Sequence, residues 1–372
     1  MQILIREMQP SEKGEVEKLF RRSLGITDRM VFQLSFNEAQ KSARWQGGGT
    51  LVAEYDSEIV GAVSVRIRIL KGKRIGYVDA LVADKEFRGR GVGKSLVDGA
   101  ISWLEERGCE VIYATADRYN SPSWNTFIHR DFHLYEIPQQ IRDYGLSFLR
   151  LWLAEFYFIG FGTFFLRRGK DKRKHRETGE VWHFLAALLG VSTVWWIQIL
   201  RGQGPLMLIP ALFAVVAVSI LAHELPQKFM ARRLGLETIF KAWGSGIFFS
   251  WLLAPLGIFF PAYGSTYVKQ MDWRYNPKRD KTGVIFAIGP LSSLALGLAL
   301  WIIRLLAASS LLAESAKIGY ITSLSIAFLN LIPIQAAGGF VWDGKKIFRW
   351  NRKVWVALVI ASVALISLNA LF

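Results

Sequence analysis

Cysteine is almost absent from this chain: Cys109 is the only one among 372 residues. That excludes an internal disulfide and any metal site built from several thiolates. Histidine is scarce too, with five in all. His129 and His133 fall within residues 1–145, His175 in a basic run, and His183 at the start of an apolar segment. The opening MQILIREMQPSEKGEVEK has no apolar core of the signal-peptide kind, so the first domain is expected on the cytoplasmic side. Acidic residues are outnumbered, 30 against 46 Lys and Arg, for a net charge of +16. Such an excess can mark a nucleic-acid partner, but no helix-turn-helix, zinc-finger or RNA-binding signature accompanies it. Instead RRGKDKRKHR (167–176), MDWRYNPKRDK (271–281) and DGKKIFRWNRK (343–353) each flank hydrophobic segments. Juxtamembrane Lys and Arg mark cytoplasmic loops and attract anionic headgroups, so the expected partner is the lipid bilayer, with no nucleic acid.

Hydrophobicity is distributed unevenly. Residues 1–145 have the mixed charge and short apolar runs of a soluble domain. Residues 146–180 are read as a membrane-surface or re-entrant element (146–166, apolar but carrying Arg150 and Glu155) followed by a basic linker. Residues 181–372 contain apolar runs of spanning size, which in a bilayer is about 20 residues. The expected spans are 181–200, 205–225, 282–306, 318–333 and 354–372. Segment 238–263, broken by Gly244, Gly246, Pro255 and Pro261, is expected to enter and return on one side, because the charged loops at both its ends belong in the cytoplasm. The chain is thus expected to be an integral membrane protein with its N-terminal domain in the cytoplasm.

Within 1–145 the hydrophobic periodicities give the order β-α-α-β-β-β-α-β-α. ILIREMQ opens as a strand; SEKGEVEKLFRRSLG has helical spacing at Val16, Leu19 and Phe20; TLVAEY, EIVGAVSVRIRIL and RIGYVDALVA are β-rich and separated by DS and KGK. FRGRGVG then precedes the helix GVGKSLVDGAISWLEERG, and Asn120 or Ser121 caps a last helix with Pro122 in its first turn. A glycine-rich turn at a helix start can aim backbone N–H groups at an anion, aided by the helix dipole. This order and this loop resemble the GNAT N-acetyltransferase family over nearly all of 1–145, whose motif R-x-x-G-x-G/A is met by Arg88, Gly91 and Gly93. The resemblance implies an α/β fold with a mixed, mostly antiparallel sheet and flanking helices, and acetyl-CoA as cofactor. It implies that Arg88, Gly89, Arg90, Gly91, Val92, Gly93 and Lys94 hold the pyrophosphate, that the backbone of Leu81, Val82 and Ala83 holds the pantetheine arm, and that Asn120 belongs to the cofactor site. Asp79 and Glu86 are the candidate bases. Where the family has a proton-donating Tyr seven residues after the Asn, this chain has Phe127; Tyr119 and Tyr135 are nearby but out of register.

In the apolar half, ILAHELPQKFMARRLG (220–235) places His223 and Glu224 side by side and Gln227 four residues after the histidine. Residues at i and i+4 share a helical face and can share a metal, while the adjacent Glu reaches a metal-bound water. With AIGPLSSLAL (287–296) and NLIPI…DGKKIF (330–348), the stretch resembles the site-2 protease family of intramembrane zinc metalloproteases from about residue 181 to the last residue. The resemblance implies an all-α polytopic membrane domain with zinc held by His223, Asp343 and the residue at 227, and Glu224 as the protease-type base. The departures are Gln227 for the second His, Pro226 inside the motif, Ser293 where Asn is usual, and a longer stretch before Asp343.

Three readings follow from the residues. The first is a membrane-tethered N-acetyltransferase acting on an amine-bearing protein or small molecule, with an impaired protease-like membrane domain. The second is an intramembrane zinc metalloprotease with an accessory acyl-CoA-binding domain. The third is an acyl-CoA-sensing pseudoprotease that binds transmembrane protein clients.

Overall fold

The computed structural model describes residues 3–43, 47–118, 120–154, 157, 163–169, 177–203, 206–268, 279–334 and 341–371. Tyr119, the basic residues 170–176 and 269–278, and the stretch 335–340 before Asp343 lie outside these. The chain divides into two compact units, Met1–Glu177 with Ala336–Phe340, and Thr178–Gln335 with Val341–Phe372.

The first unit is a seven-stranded sheet in the order β1-β2-β3-β4-β5-β7-β6. Its elements are β1 (Leu4–Glu7), α1 (Lys13–Ser23), α2 (Ile26–Ala43), β2 (Gly48–Tyr55), β3 (Glu58–Leu70), β4 (Lys73–Ala83), α3 (Val92–Glu106), β5 (Val111–Asp117), α4 (Ser121–Ile128), β6 (His133–Leu134), α5 (Ile137–Tyr144), α6 (Phe148–Ala154) and β7 (Thr163–Gly169). Strands β2, β3 and β4 are antiparallel neighbours. Their two hairpins turn through Asp56–Ser57 and Lys71–Gly72, all four at positive φ, the backbone that two-residue hairpins of matching twist require. Among the described residues only β4 and β5 run parallel, as a strand–helix–strand crossover through α3 demands.

Alternation along the strands sends side chains to two faces. Val63, Val65, Val78, Ile112 and Ala114 pack under Leu96, Val97, Ala100 and Leu104 of α3 and Phe127 of α4. Val52, Ala62 and Val82 face Val16, Leu19 and Phe20 of α1 and Phe36 of α2. Glycine at 61 is required by packing: a Cβ there would stand 2.7 Å from Val92 Cγ1 and 2.9 Å from Leu96 Cδ1. The first turn of α3 therefore sits directly on β3.

One segment differs from the sequence expectation. Residues 146–166, read as a membrane-surface element, belong to the first unit. Thr163–Gly169 is a strand paired antiparallel with the whole of β5, Val111↔Gly169 through Asp117↔Thr163. Leu151, Trp152, Phe165 and Leu166 are buried, and Trp152 Nε1 donates to Gln140 Oε1 at 2.7 Å. Apolar content signalled a membrane because residues of α6 and β7 such as Leu151, Trp152, Phe165 and Leu166 are buried in the protein interior, and burial in a core selects the same apolar residues as a bilayer does. Arg167, assigned by its neighbours to a basic loop, is buried in β7 with its guanidinium over the Tyr135 ring.

The second unit contains α7 (Glu180–Gln198), α8 (Ile209–Arg233), β8 (Thr238–Ala242), α9 (Gly244–Leu253), β9 (Gly264–Val268), α10 (Arg279–Leu306), α11 (Ser310–Leu331), α12 (Asp343–Trp350) and α13 (Arg352–Leu371). Among the described residues three helices are long and apolar enough to cross a membrane, Glu180–Gly202, Ile209–Arg233 and Gly283–Leu306. Segments 318–333 and 354–372, expected to span, lie largely within α11 and α13 but are not among those three. Segment 238–263, expected to enter and return on one side, holds β8 and α9; β8 pairs antiparallel with β9 from Thr238↔Val268 to Ala242↔Gly264, with α9 between the two strands. Among the described residues the regular structure of the unit is therefore helical apart from this ribbon. Helix α8 runs unbroken through Pro226.

Candidate functional site

In the first unit the decisive geometry is a split between β4 and β5. Their pairing runs only from Ile75↔Val111 to Val78↔Ala114. Beyond it β5 stays with β7 as far as Asp117, and β4 stays with β3 as far as Ala83. An irregularity in register opposite Ala62–Ser64 and a positive φ of 28° at Ala80 bend β4 at this point, as a bulge does. Leu81, Val82 and Ala83 follow the bend, so their backbone lies where β4 has lost its β5 partner.

The loop Arg88–Gly91 ends β4's connection and starts α3. Gly89 and Gly91 have φ of 76° and 90°, values that residues with a Cβ avoid. Gly91 is the N-cap of α3, and the first backbone bond of the helix runs from Ser95 N to Gly91 O at 3.0 Å. The N–H groups of Val92, Gly93 and Lys94 have no acceptor within the helix, and the positive end of the helix dipole lies with them. A Cβ added at Gly89, Gly91 or Gly93 would meet nothing within 4 Å, so the space beside these amides is open. Arg88 donates to Ser23 O at 3.3 Å, which ties the loop to the end of α1. Arg90 lies over the Phe87 ring.

The other first-unit candidates separate. Asp79 is buried and ion-paired with the equally buried Arg66, whose guanidinium also stands over Tyr77. Glu86 is exposed in a short turn whose N–H is held by Asp84 Oδ1 at 3.1 Å. Asn120 is the N-cap of α4, its side chain accepting from Ser123 N. Phe127 is a core residue packed edge-on against Phe132, so it points into the helix–sheet interface. Tyr135 donates to Asp143 at 3.1 Å, and Tyr113 shares a 2.8 Å hydrogen bond with Tyr144. Burial first, and then neighbouring Tyr135 and Tyr144, push the Tyr113 hydroxyl well above the usual tyrosine range. Arg66 and the tyrosine stack were not singled out from sequence; alternate placement on β3, β4 and β5 was the available signal.

In the second unit the His223 motif gathers a polar centre at the meeting of α8, β9, α10 and α12. His223 Nδ1 lies 3.0 Å from Ser293 Oγ, and its Nε2 lies 3.6 Å from Asp343 Oδ2. Glu224 accepts hydrogen bonds from Tyr263 at 3.0 Å and Thr266 at 2.5 Å. Gln227 Nε2 donates to Asp343 Oδ2 at 2.8 Å and lies 3.2 Å from His223 Nε2. Asp343 Oδ1 accepts from Lys346 Nζ at 2.9 Å. The structure places His223, Gln227 and Asp343 beside one another. The sequence reading missed Lys346, which reads as one more charge in a basic loop, Tyr263, at the end of the segment expected to enter and return on one side, and Thr266, which lies just beyond that segment.

The donor set does not fit the zinc that the motif implies. A protein zinc site takes three or four His, Cys or carboxylate ligands. Here two such groups, His223 and Asp343, face an amide N–H rather than a third ligand, and an ammonium occupies the second carboxylate oxygen. Among the described residues no three His, Cys, Asp or Glu side chains form a group that could hold a metal.

Residues 17–132 match the family model of the acetyltransferase (GNAT) family. A protein of Methanocaldococcus jannaschii named as a candidate zinc metalloprotease, MJ0611, is 30% identical over 142 residues, which are 38% of this chain and 70% of that protein. The chain belongs to the family of that protein, and its first unit is a GNAT domain. An uncharacterised N-acetyltransferase of Archaeoglobus fulgidus is 35% identical over 75 residues, 19% of this chain and 51% of that one. A crystal structure of a GNAT-family acetyltransferase from Staphylococcus aureus is similar with a TM-score of 0.33 and 19% identity, over 45% of this chain and 99% of that one.

Proposed function

We propose that this chain is a membrane-tethered N-acetyltransferase that transfers an acetyl group from acetyl-CoA to an amine of a protein or small molecule, with its GNAT domain in the cytoplasm. The observation that carries this reading is the β4–β5 split beside the glycine-rich start of α3. In this reading the N–H groups of Val92, Gly93 and Lys94 receive the pyrophosphate, with Arg88 and Arg90 adding charge. The backbone of Leu81, Val82 and Ala83 takes the pantetheine arm through the hydrogen-bonding groups that β5 no longer uses. The amine nitrogen attacks the thioester carbonyl, the C–S bond breaks, and the amine loses one proton. Glu86 is the freer of the two candidate bases, because Asp79 is already committed to Arg66. Phe127 cannot return a proton to the thiolate, so the departing sulfur takes its proton from solvent. Asn120 serves the site indirectly, by capping α4.

The test is direct. Full-length protein in detergent should bind acetyl-CoA by calorimetry and release free thiol when offered amines. No heat of binding at millimolar acetyl-CoA overturns the reading.

The kinship with a protein named as a zinc metalloprotease favours a second reading, cleavage of transmembrane clients by the second unit, with Glu224 as base. It predicts that Glu224→Ala abolishes cleavage of a membrane substrate in reconstituted vesicles. The third reading, a client-binding pseudoprotease that senses acyl-CoA, predicts CoA binding with neither transfer nor cleavage.

A further inference from the structure

We infer that the polar centre of the second unit is metal-free by design, with the Lys346 ammonium as the resident cation of Asp343. The inference stands apart from the acetyl-transfer reading and concerns only the second unit.

The imidazole and both carboxylates that zinc chemistry would need are already engaged within the chain. Asp343 Oδ2 takes the Gln227 amide and Oδ1 takes Lys346. His223 turns Nδ1 to Ser293 and leaves Nε2 against Gln227. Glu224, the residue that would activate a metal-bound water, is tied by Tyr263 and Thr266. The orientation of the Gln227 amide follows from this network, since a carboxylate oxygen at 2.8 Å needs a donor opposite it.

Charge makes the same point. Lys346 is fully buried, 0% exposed against 2% for Asp343. A buried ammonium persists only when it is paired. Asp343 and Lys346 are three residues apart on α12, hence on one helical face, and form a neutral pair. The Lys346 ammonium also stands 3.8 Å from the centre of the Phe286 ring, an additional attraction for a cation. A divalent ion inserted between His223 and Asp343 would meet a fixed positive charge on the same carboxylate, and would have to break two of its hydrogen bonds.

The backbone is shaped around this arrangement. A Cβ on Gly344 would stand 2.1 Å from Leu331 O, so only glycine lets the start of α12 seat Asp343 here. A Cβ on Gly289 would stand 2.2 Å from Gln227 Nε2, so α10 leaves room for the amide. The Gln227 carbonyl oxygen is buried without a hydrogen-bond partner. A group retained despite that cost implies that its amide N–H is what the site uses.

The experiment is metal analysis of the full-length protein in detergent, saturated with zinc and then desalted, combined with thermal melting. The wild type should retain well under one zinc per chain. Lys346→Ala should lower the melting midpoint by several degrees, because it strands a buried carboxylate. The double variant Gln227→His with Lys346→Ala, which supplies a third ligand and removes the ammonium, should retain about one zinc per chain. Zinc should raise the melting midpoint of that variant and leave the wild type unchanged. Stoichiometric zinc in the wild type that is lost in Asp343→Asn overturns the inference without relying on any Lys346 variant. An unchanged midpoint in Lys346→Ala overturns it as well.

Discussion

The substitution Gly93→Ala separates the two roles of the glycine-rich loop. Gly93 lies in the first turn of α3 without positive φ, and its added Cβ would meet nothing within 4 Å. Alanine exceeds glycine by about 0.8–1.0 kcal/mol in a helix interior and by less in the first turn, so a gain of about 0.5 kcal/mol is expected. For a domain of this size that raises the melting midpoint by roughly 1–2 °C. The same methyl enters the space beside the free amides of Val92, Gly93 and Lys94. If a pyrophosphate sits there, the loss of one charge-assisted hydrogen bond costs about 1.5–3 kcal/mol, or roughly 10- to 150-fold in affinity. The variant should therefore be slightly more stable without ligand and much weaker for acetyl-CoA, measured by scanning fluorimetry and calorimetry on the full chain. Gly91→Ala, at φ 90°, should instead lose about 1–2 kcal/mol of stability, so its weaker binding alone would prove little. A more stable Gly93→Ala protein with unchanged acetyl-CoA affinity would refute the assignment of the loop.

A chain ended after residue 145 lacks β7 and uncovers the edge of β5. Leu151, Trp152, Phe165 and Leu166 go with it, and at about 1.5–3 kcal/mol each their burial rivals the 5–15 kcal/mol stability of a whole domain. Such a fragment should show no cooperative melt by circular dichroism, whereas residues 1–177 should; a cooperative 1–145 fragment would contradict the sheet order. Burial pushes the Cys109 thiol up to about 11, so iodoacetamide at pH 8 should label it only after denaturant is added, and rapid native labelling would place it at the surface. Burial, followed by the nearby Asp143, likewise raises the Tyr135 hydroxyl above its ordinary range, as burial does for Tyr113. Because the folded state favours their protonated forms, their contribution is intact below the unfolded value of about 10 and declines as pH rises past it. The absorbance at 295 nm lost in Tyr113→Phe with Tyr135→Phe, taken as the difference from the wild type, should rise only together with unfolding, and a difference that titrates near pH 10 in the folded protein would refute their burial.

The order of elements through α4 was legible in the sequence because each is short, local and strongly periodic. The glycine loop was legible because positive φ and open space constrain residue type directly. The 163–169 strand was not, since burial in a core and insertion in a membrane both select apolar residues. The polar centre was half legible. His223, Glu224 and Gln227 sit within five positions of one helix, so their shared location follows from helical geometry alone.

Asp343 could be suggested only through its motif, and Lys346 could not be suggested at all. A lysine three residues after an aspartate looks the same in sequence whether it faces water or a carboxylate in the interior. Local pattern therefore settled which helix carries the polar motif and where the glycine-rich turn before α3 lies. Packing of α10 and α12 against α8 decided that the Asp343 charge is met by an ammonium and an amide. Pairing of β7 with β5 decided where the first unit ends. Both outcomes depend on contacts between residues far apart in the chain, and their energies arise only when folding removes water from the groups involved.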